Sequence, residues 1–396
     1  MPSRLDALPA TCMSYVAAQG QLDLFRVAGS SDAEGLAFLS TCPWLDGRYS
    51  NKLWRHSFHA ISSYPSKLRP QIAAFFIEYL SKVRQVVLDP MAGSGTVPLQ
   101  ACLTGRKGIG LDLSPYAFLL IRVKVQPPSL PSVLGRINEI ETKIRPSRAF
   151  AVPPQIKEFF HARTLREILA VRSSLRDEDP TDRVILALLC GILHGGRPGF
   201  LSRRSRDIIP IRPAGPYEYR PVLPRLRAKA LRVYSHGFPE WFRPGEAHLG
   251  DCRDADALPE ACADLVVTSP PFFEHTEFVR HNWLRLWLVG WELEEQKKQA
   301  AEFIGEKTAN LPRFRADVGQ LMSNIGYWLK PGGYCVVHGG KKRTGEDMSR
   351  IVIESVREKD FAFVGLIDEK VDHTRKHAIR KVSGESHNFV VIRKLP

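Results

Sequence analysis

Hydrophobic and polar positions divide the chain into two stretches of alternating strands and helices, with a helical and basic stretch between them. In the first, residues 86–88 form a short apolar run that predicts a buried strand, and residues 97–103 predict a helix. Residues 108–111 predict a second strand that ends at Asp112, and residues 64–80 turn on prolines before a predicted amphipathic helix. The order strand, loop, helix, strand is typical of the opening of a doubly wound parallel sheet.

The pattern changes after about residue 127 and resumes after residue 247. Between them we predict three helices, at 132–144, 156–174 and 181–194, and then a section rich in proline and arginine. Beyond it the patterning predicts a strand at 264–268, helices at 276–290 and 314–329, a turn at 330–333, a strand at 334–338, a helix at 351–359 and strands at 361–367 and 388–393. We therefore expect an α/β fold with a Rossmann-like sheet and a largely helical basic insertion.

These changes of pattern define four predicted segments. Residues 1–50 form an N-terminal arm, and residues 51–126 form the first part of the core. Residues 127–247 are the basic insertion, and residues 248–396 form the second part of the core. The apolar run at 184–193 is about half as long as a membrane span requires, so we expect a buried helix there and no membrane partner.

Charge and cysteine usage narrow the class of protein. The chain has 396 residues and a formal net charge of +14, and +8 of that excess falls in residues 197–243. Such an excess favours a polyanionic partner, usually nucleic acid, over a generally cationic surface. The seven cysteines form no CxxC pair and are odd in number, which argues against a zinc site or a disulfide framework and fits a reducing cytosol.

A candidate ligand site follows the first predicted strand, in the segment Asp89-Pro90-Met91-Ala92-Gly93-Ser94-Gly95-Thr96. Glycines there allow backbone N–H groups to approach a ligand closely. The segment lacks the third glycine of GxGxxG and is not a GxxxxGK[ST] phosphate loop. Asp89 would repel a pyrophosphate but pair with an ammonium group, and Asp112 is placed to accept hydrogen bonds from ribose hydroxyls.

The second candidate site is Ser269-Pro270-Pro271-Phe272, directly after the predicted strand at 264–268. Prolines cannot donate to a sheet, so this rigid loop must serve something other than folding.

Together these segments resemble one protein family. The segments VLDPMAGSGT (87–96) and GIGLDLSPYA (108–117) resemble the S-adenosylmethionine site of the DNA amino-methyltransferases, and TSPPF (268–272) resembles their catalytic motif. YPSKLRP (64–70) resembles the segment that covers the methionine end of the cofactor, and residues 250–290 resemble one continuous block of the family. The resemblance implies a class I methyltransferase sheet with S-adenosylmethionine as its cofactor.

The resemblance also implies a role for individual residues. Asp89 and the glycine loop would hold the methionine moiety, Asp112 the ribose and Asp251 the adenine, with Tyr64 and Lys67 nearby. The expected cofactor-binding residues are Tyr64, Lys67, Asp89, Pro90, Ala92, Gly93, Gly95, Thr96, Asp112 and Asp251. Ser269, Pro270, Pro271 and Phe272 would hold the target base. In that role the Oγ of Ser269 and the carbonyl of Pro270 would accept the two N–H groups of its exocyclic amine and free the nitrogen lone pair for attack on a methyl group. Phe272 would stack on the base after it has flipped out of a duplex. Serine at position 269 is commoner in the family's N4-cytosine enzymes than in its N6-adenine enzymes, so we favour cytosine N4; no Pro-Cys pair supports C5 methylation.

The expected partner is DNA, which we expect the basic insertion to contact. We expect Arg203, Arg204 and Arg206, and also Lys341, Lys342 and Arg343, to contact backbone phosphates. Tyr217 and Tyr219 are expected to pack in the core rather than on bases. The sequence predicts a cytoplasmic, nucleoid-associated enzyme that acts alone or beside a restriction endonuclease; the alternatives are an N6-adenine enzyme, an RNA base methyltransferase and a catalytically silent DNA-binding protein.

Overall fold

The structure is a computed structural model. It describes residues 56–143, 152–195, 199–205, 210–273, 277–305, 310–341, 346–368 and 386–396, together with residues 39, 41 and 49. The predicted N-terminal arm at 1–50 therefore lies outside the described residues except at those three isolated positions.

A seven-stranded sheet forms the centre of the fold. Its strands are β1 (Val86–Asp89), β2 (Lys107–Asp112), β5 (Glu246–Leu249), β6 (Ala263–Thr268), β7 (Leu329–Lys341), β8 (Phe361–Asp368) and β9 (Ser386–Lys394), while β3 (Arg204–Ser205) and β4 (Pro213–Ala214) form a separate two-stranded sheet. The order is β5-β2-β1-β6-β7-β9-β8. The first five strands run parallel, and β9 is antiparallel to both β7 and β8. The predicted α/β class with a Rossmann-like methyltransferase sheet is confirmed.

The helices connect and flank these strands. They are α1 (Pro70–Leu80), α2 (Thr96–Leu103), α3 (Pro115–Val125), α4 (Leu130–Lys143), α5 (Pro154–Lys157), α6 (Ala162–Ser173), α7 (Pro180–Leu193), α8 (Val222–Val233), α9 (Phe278–Leu288), α10 (Leu293–Ala300), α11 (Leu311–Trp328) and α12 (Met348–Ser355). The sequence pattern missed α3, α8, α10 and β5. It also predicted one helix at 156–174, where the chain forms α5 and α6 with a break between them.

Alternate strand residues face the two sides of the sheet, as the two-residue period of a strand requires. Val87, Leu265 and Val336 pack with α1 on one face. Leu88 and Val266 pack with α11 and α12 on the other. Burial on both sides explains why these strands appear as continuous apolar runs rather than as alternating patterns.

The helices of the basic insertion share a core with the sheet domain. Residues of α4, α6, α7 and α8 form one buried cluster with Tyr116 and Leu120 of α3 and with Phe58. The apolar run at 184–193 is the buried part of α7, as predicted. Among the described helices, none is long and apolar enough to cross a membrane. The predicted segment boundary at 247 falls inside β5, so the insertion ends where this strand joins the sheet.

The predicted turn at 330–333 belongs to β7. Gly332 has a positive φ of 76°, as the turn residues suggested. The pairing of β6 with β7 shifts register between Ala263 and Leu265, opposite this segment. The chain therefore accommodates the turn-forming residues as an irregularity in a long strand and does not leave the sheet.

Candidate functional site

The ends of five parallel strands surround one cavity. The sheet register sets Leu88 beside Val266 and Asp89 beside Gly110, so that the residues after β1 and β6 lie side by side. The cavity has a volume of about 320 Å3. It brings together most of the residues singled out from the sequence, namely Tyr64, Lys67, Asp89, Pro90, Ala92, Gly93, Thr96, Asp112, Asp251, Ser269, Pro270, Pro271 and Phe272. Carboxyl ends of strands in open α/β sheets are the usual place for a ligand.

The glycine loop owes its shape to two left-handed residues. Gly93 has φ of 50°, and a Cβ there would lie 3.0 Å from Cε1 of Tyr64. Its N–H donates to Oδ2 of Asp112 at 2.7 Å. Gly95, with φ of 72°, caps the N-terminus of α2 and donates to the Ala92 carbonyl, but it is not among the residues that line the cavity. The loop thus presents backbone to the cavity in a conformation that side chains disfavour.

Two carboxylates lie at this loop, Asp89 buried and Asp112 half-buried. Oδ1 of Asp89 accepts from the Met91 N–H at 3.2 Å, and Oδ1 of Asp112 accepts from the Ser114 N–H at 2.9 Å. Burial raises the pKa of Asp89 to about 7 and that of Asp112 to about 6. A carboxylate held at such a cost is suited to a ligand that supplies the missing positive charge or hydrogen-bond donors.

Lys67 and Tyr64 form a further part of the cavity wall. Nζ of Lys67 donates to the carbonyl oxygens of Ser62 at 3.0 Å and His59 at 3.3 Å. Burial, with the charge of Arg285, lowers the pKa of Lys67 to about 8. The ring of Tyr64 stacks on Tyr116 with centroids 5.9 Å apart, and burial raises the pKa of Tyr64 well above its ordinary value. This side of the cavity therefore offers a cation that lacks a carboxylate partner among the described contacts.

Asp251 is held by an arginine two residues later. Arg253 donates to both of its carboxylate oxygens, with Nη2 at 2.6 Å from Oδ2 and Nε at 3.0 Å from Oδ1. Burial raises the pKa of Asp251, but the hydrogen bonds and charge of Arg253 outweigh it and hold the pKa below the ordinary value. Nη1 of Arg253 also donates to Asp317 at 3.1 Å. The carboxylate is thus fixed in place at the edge of the cavity.

Ser269 lies beside two histidines that sequence reasoning missed. Its Oγ is 2.9 Å from Nδ1 of His338, and Nε2 of His338 is 3.2 Å from Nδ1 of His387. The Phe272 ring is 5.7 Å from each histidine ring. His338 ends the predicted strand at 334–338, and its place at the end of a strand was a signal that the sequence contained. His387 gave none, since only the pairing of β9 with β7 brings it here.

A further part of the cavity wall comes from the segment after α10. Glu302, Phe303 and Ile304 line the cavity, and the Phe303 ring packs on Phe278 at 4.8 Å. Gly305 follows with φ of 72°, where a Cβ would lie 3.1 Å from Cγ of Pro271. No motif in the sequence marks this segment, because its only signal is an apolar pair in a polar stretch.

The residues expected to contact DNA differ from one another in their surroundings. Arg203 donates from Nε and Nη2 to the Gly215 carbonyl and from Nη1 to the Glu158 carbonyl, and its guanidinium lies 4.1 Å from the centre of the Tyr217 ring. Arg204 is an exposed residue of β3. Arg206, Lys342 and Arg343 lie outside the described residues, as does the side chain of Lys341. Their contacts with phosphate stay predictions.

The expectation that Tyr217 and Tyr219 pack in the core is wrong. Tyr217 is 53% exposed and Tyr219 36% exposed. Each ring lies against a guanidinium instead, Tyr217 on Arg203 and Tyr219 on Arg163 at 4.0 Å. Arginine stacking on an aromatic face stabilises the pair without a buried core around it. Trp283 of α9, in contrast, packs against the buried cluster of helices.

Comparisons with known proteins agree with this site. Residues 59–146 match the family model described as UPF0020: RMKL-like, methyltransferase domain. The chain is 37% identical over 68 residues to type II methyltransferase M.MjaII of Methanocaldococcus jannaschii, and 32% identical over 114 residues to type II methyltransferase M.MvaI of Kocuria varians. These matches cover 17% and 28% of this chain but only 13% and 22% of the two relatives.

Solved structures resemble the chain only distantly. TrmN from Thermus thermophilus aligns with 86% of this chain and 52% of its own, at 13% identity and a TM-score of 0.35. A likeness at that score says nothing about function. The matched methyltransferase segment, in contrast, contains Asp89, the glycine loop and Asp112, which supports the expected cofactor.

The cavity fits S-adenosylmethionine on its own chemistry. The ammonium group of this cofactor needs an acidic partner, and Asp89 is of that kind. Its two ribose hydroxyls need an acceptor such as the carboxylate of Asp112. Its carboxylate needs a basic partner such as Lys67. The loop at Gly93 leaves room that a Cβ would fill. The matched family segment and the chemistry of the site together support S-adenosylmethionine as the cofactor.

Proposed function

We propose that the protein methylates an exocyclic amine of a base in DNA, with S-adenosylmethionine as the methyl donor and cytosine N4 as the favoured target. The observation that carries the proposal is the meeting of two motifs in one cavity: Asp89 with its glycine loop after β1, and Ser269-Pro270-Pro271-Phe272 after β6. Both curated relatives are type II methyltransferases, which favours DNA as the substrate.

Ser269 and Pro270 act on the amine. The amine of cytosine is a poor nucleophile, because its lone pair is delocalised into the ring. The Oγ of Ser269 and the carbonyl of Pro270 accept its two hydrogens and favour a tetrahedral nitrogen, and the prolines hold both acceptors in position before substrate binds. Phe272 stacks on the flipped base. When bound, the cofactor supplies a methyl group already activated as a sulfonium.

The chemistry needs neither a nucleophilic thiol nor a strong general base from this chain. Methylation at C5 of cytosine requires a thiolate to attack the ring. The cysteine among the described cavity residues is Cys252, and burial raises the pKa of this thiol far above its ordinary value. The cationic nitrogen formed by methylation of an amine, in contrast, can lose its proton to water.

The test is the identity of the labelled nucleoside. The protein is incubated with labelled S-adenosylmethionine and either duplex DNA or RNA, and the nucleic acid is digested to nucleosides for mass spectrometry. N4-methylcytosine from DNA supports the proposal, N6-methyladenine keeps the enzyme and overturns the base, and label only in RNA overturns DNA as the substrate.

The variant Ser269→Ala tests the role assigned to Ser269. We expect it to bind the cofactor as the wild type does and to lose about 100- to 1,000-fold in kcat, as removal of one preorganised hydrogen-bonding partner of the reacting group does. Unchanged kcat in this variant contradicts the role assigned to Ser269. Titration with S-adenosylhomocysteine provides the control for an intact cofactor site.

A further inference from the structure

A chain of three polar side chains starts at the catalytic loop. Ser269 Oγ lies 2.9 Å from His338 Nδ1, and His338 Nε2 lies 3.2 Å from His387 Nδ1. The histidines come from the neighbouring strands β7 and β9, where His338 pairs with Phe389 and Gly340 with His387. All three side chains line the cavity. The mechanism described above uses Ser269 and gives the histidines no role.

Two arrangements of hydrogens satisfy these distances. In the first, the Ser269 hydroxyl donates to Nδ1 of His338, and Nε2–H of His338 donates to Nδ1 of His387. In the second, both bonds run the other way, and His338 donates to Ser269. A serine hydroxyl has one hydrogen and two lone pairs. The first arrangement leaves both lone pairs for a donor in the cavity, whereas the second occupies one of them.

We propose that His338 is a positioning residue: it accepts the hydroxyl hydrogen of Ser269 at Nδ1 and so turns the lone pairs of Ser269 toward the amine of the target base. His387 accepts from Nε2–H of His338 and thereby fixes its tautomer, because the bond made by one ring nitrogen decides which nitrogen carries the hydrogen. The proposal rests on the proposed function, since that function makes Ser269 an acceptor of amine hydrogens.

The surroundings of His338 keep its ring in place and neutral. The ring is nearly parallel to that of His387, with centroids 5.3 Å apart as a hydrogen bond between the ring edges gives, and it stacks on Phe389 at 5.1 Å, with Phe272 on a further side at 5.7 Å. Burial, together with the charges of His387 and Arg69, lowers the pKa of His338 to about 3. A neutral imidazole has one acceptor nitrogen, so the acceptor for Ser269 persists at every pH used to assay such an enzyme.

Two substitutions of His338 separate positioning from packing. His338→Phe keeps the ring and its stacking but removes the acceptor. His338→Asn loses most of the ring but keeps an amide oxygen near the position of Nδ1. If His338 positions Ser269, the Asn variant retains more of kcat than the Phe variant; if His338 only packs, the order is reversed. We expect His338→Phe to lose about 100-fold in kcat, the cost of misplacing a group at the reacting centre by about 1 Å.

A second serine–histidine pair provides the control. Nδ1 of His194 lies 2.8 Å from Oγ of Ser202, both residues are buried, and neither lines the cavity. His194→Phe removes the same type of hydrogen bond from the same type of surroundings. We expect it to affect the unfolding midpoint as His338→Phe does, and to leave kcat unchanged on sheared genomic DNA of mixed sequence.

A readout independent of turnover is the tautomer of His338. In protein labelled with 15N-histidine, NMR distinguishes a protonated Nε2 from a protonated Nδ1. We expect the Nε2–H form in the wild type and a mixture of both forms in His387→Phe, while the affinity for S-adenosylhomocysteine stays unchanged in both.

The outcomes separate this proposal from the one on which it rests. A protonated Nδ1 on His338 in the wild type overturns the proposal, and so does a Phe variant as active as the Asn variant. If the wild type methylates neither DNA nor RNA but His338 is the Nε2–H form, the hydrogen-bond arrangement stands and the proposed function fails.

Discussion

Raising the pH above about 8 should weaken the binding of S-adenosylmethionine, because binding its carboxylate requires Lys67 to be charged. Burial and the nearby charge of Arg285 lower the pKa of this lysine to about 8 from an ordinary 10.5. Burial lowers the pKa of Lys124 and of Lys229, and the charge of Lys67 lowers each of them further. In the part of the chain that the structure describes, the Nζ of Lys67 donates to two carbonyl oxygens and forms no ion pair.

The lowered pKa sets the size of the effect. The difference from the ordinary value corresponds to about 3 kcal/mol spent to keep Lys67 charged in the folded protein. Below pH 8 this cost is fully present. Between pH 8 and 10.5 the folded state has lost a proton that the unfolded chain keeps, so the stability of the ligand-free protein gains from Lys67 as pH rises through this window. A ligand with a carboxylate binds the protonated form of Lys67 more tightly than the neutral form. Its affinity therefore falls as pH rises over the same window, by up to about tenfold per pH unit.

Calorimetric titration with S-adenosylhomocysteine from pH 6.5 to 10 measures this change, with Lys67→Met as the test variant. The ammonium group of the ligand also titrates, with an ordinary pKa of about 8, and it does so equally for both proteins. The difference between the two curves therefore isolates Lys67. We expect Lys67→Met to bind more weakly at pH 7 and to approach the wild type above pH 9.

Two controls complete the experiment. Lys82→Met removes an exposed lysine near α1 and should reproduce the wild-type curve. Lys67→Arg keeps the charge at high pH and should lose less affinity there than the wild type. Wild-type and Lys67→Met curves that differ by the same factor at every pH would refute the reasoning, because the lysine would then contribute contacts but no titrating charge.

Three other substitutions test the site and its support. Asp89→Asn removes a carboxylate that burial makes costly to ionise, so at pH 8 the thermal midpoint should rise while the affinity for S-adenosylhomocysteine weakens by about 2 kcal/mol in calorimetry. Gly108→Ala places a Cβ 2.2 Å from the Pro98 carbonyl oxygen, between β2 and α2, and should lower the free energy of unfolding by about 1–3 kcal/mol in denaturant titration. Asp182→Asn removes the fully buried partner of Arg136 and should cost about 3 kcal/mol in the same titration, with cofactor affinity unchanged.

The parts of the site that could be predicted from the sequence are those whose position depends on adjacent residues in the sequence. Asp89 comes directly after three apolar residues, and Ser269 follows a similar run. A short continuous apolar run fits a strand that is buried on both faces. The residues that follow such a strand must lie at the edge of the sheet where the strand ends. Both motifs could therefore be placed at strand ends from local pattern alone, and β1 and β6 end at Asp89 and Thr268.

The parts that did not follow depend on pairing between distant segments. Glu246–Leu249 contains no apolar run, yet it forms β5 because β2 offers it an open edge. The contact between His338 and His387 joins residues 49 positions apart and exists only in one register of β7 and β9. A register shift of one residue would turn these side chains to opposite faces. No local pattern specifies that choice.

The formal charge of the basic insertion overestimates the number of DNA phosphates that it can contact. Arg220 and Lys229 are buried and donate to backbone carbonyls, and Arg227 pairs with Glu141. Arg203 holds the segment around Gly215 in place. These cations stabilise the insertion, so they contribute to the count from sequence without each releasing a counterion from DNA. The salt dependence of DNA binding counts released counterions, with a slope of about 0.9 per phosphate contact. It should therefore fall well short of the value that eleven cations between residues 197 and 243 would give.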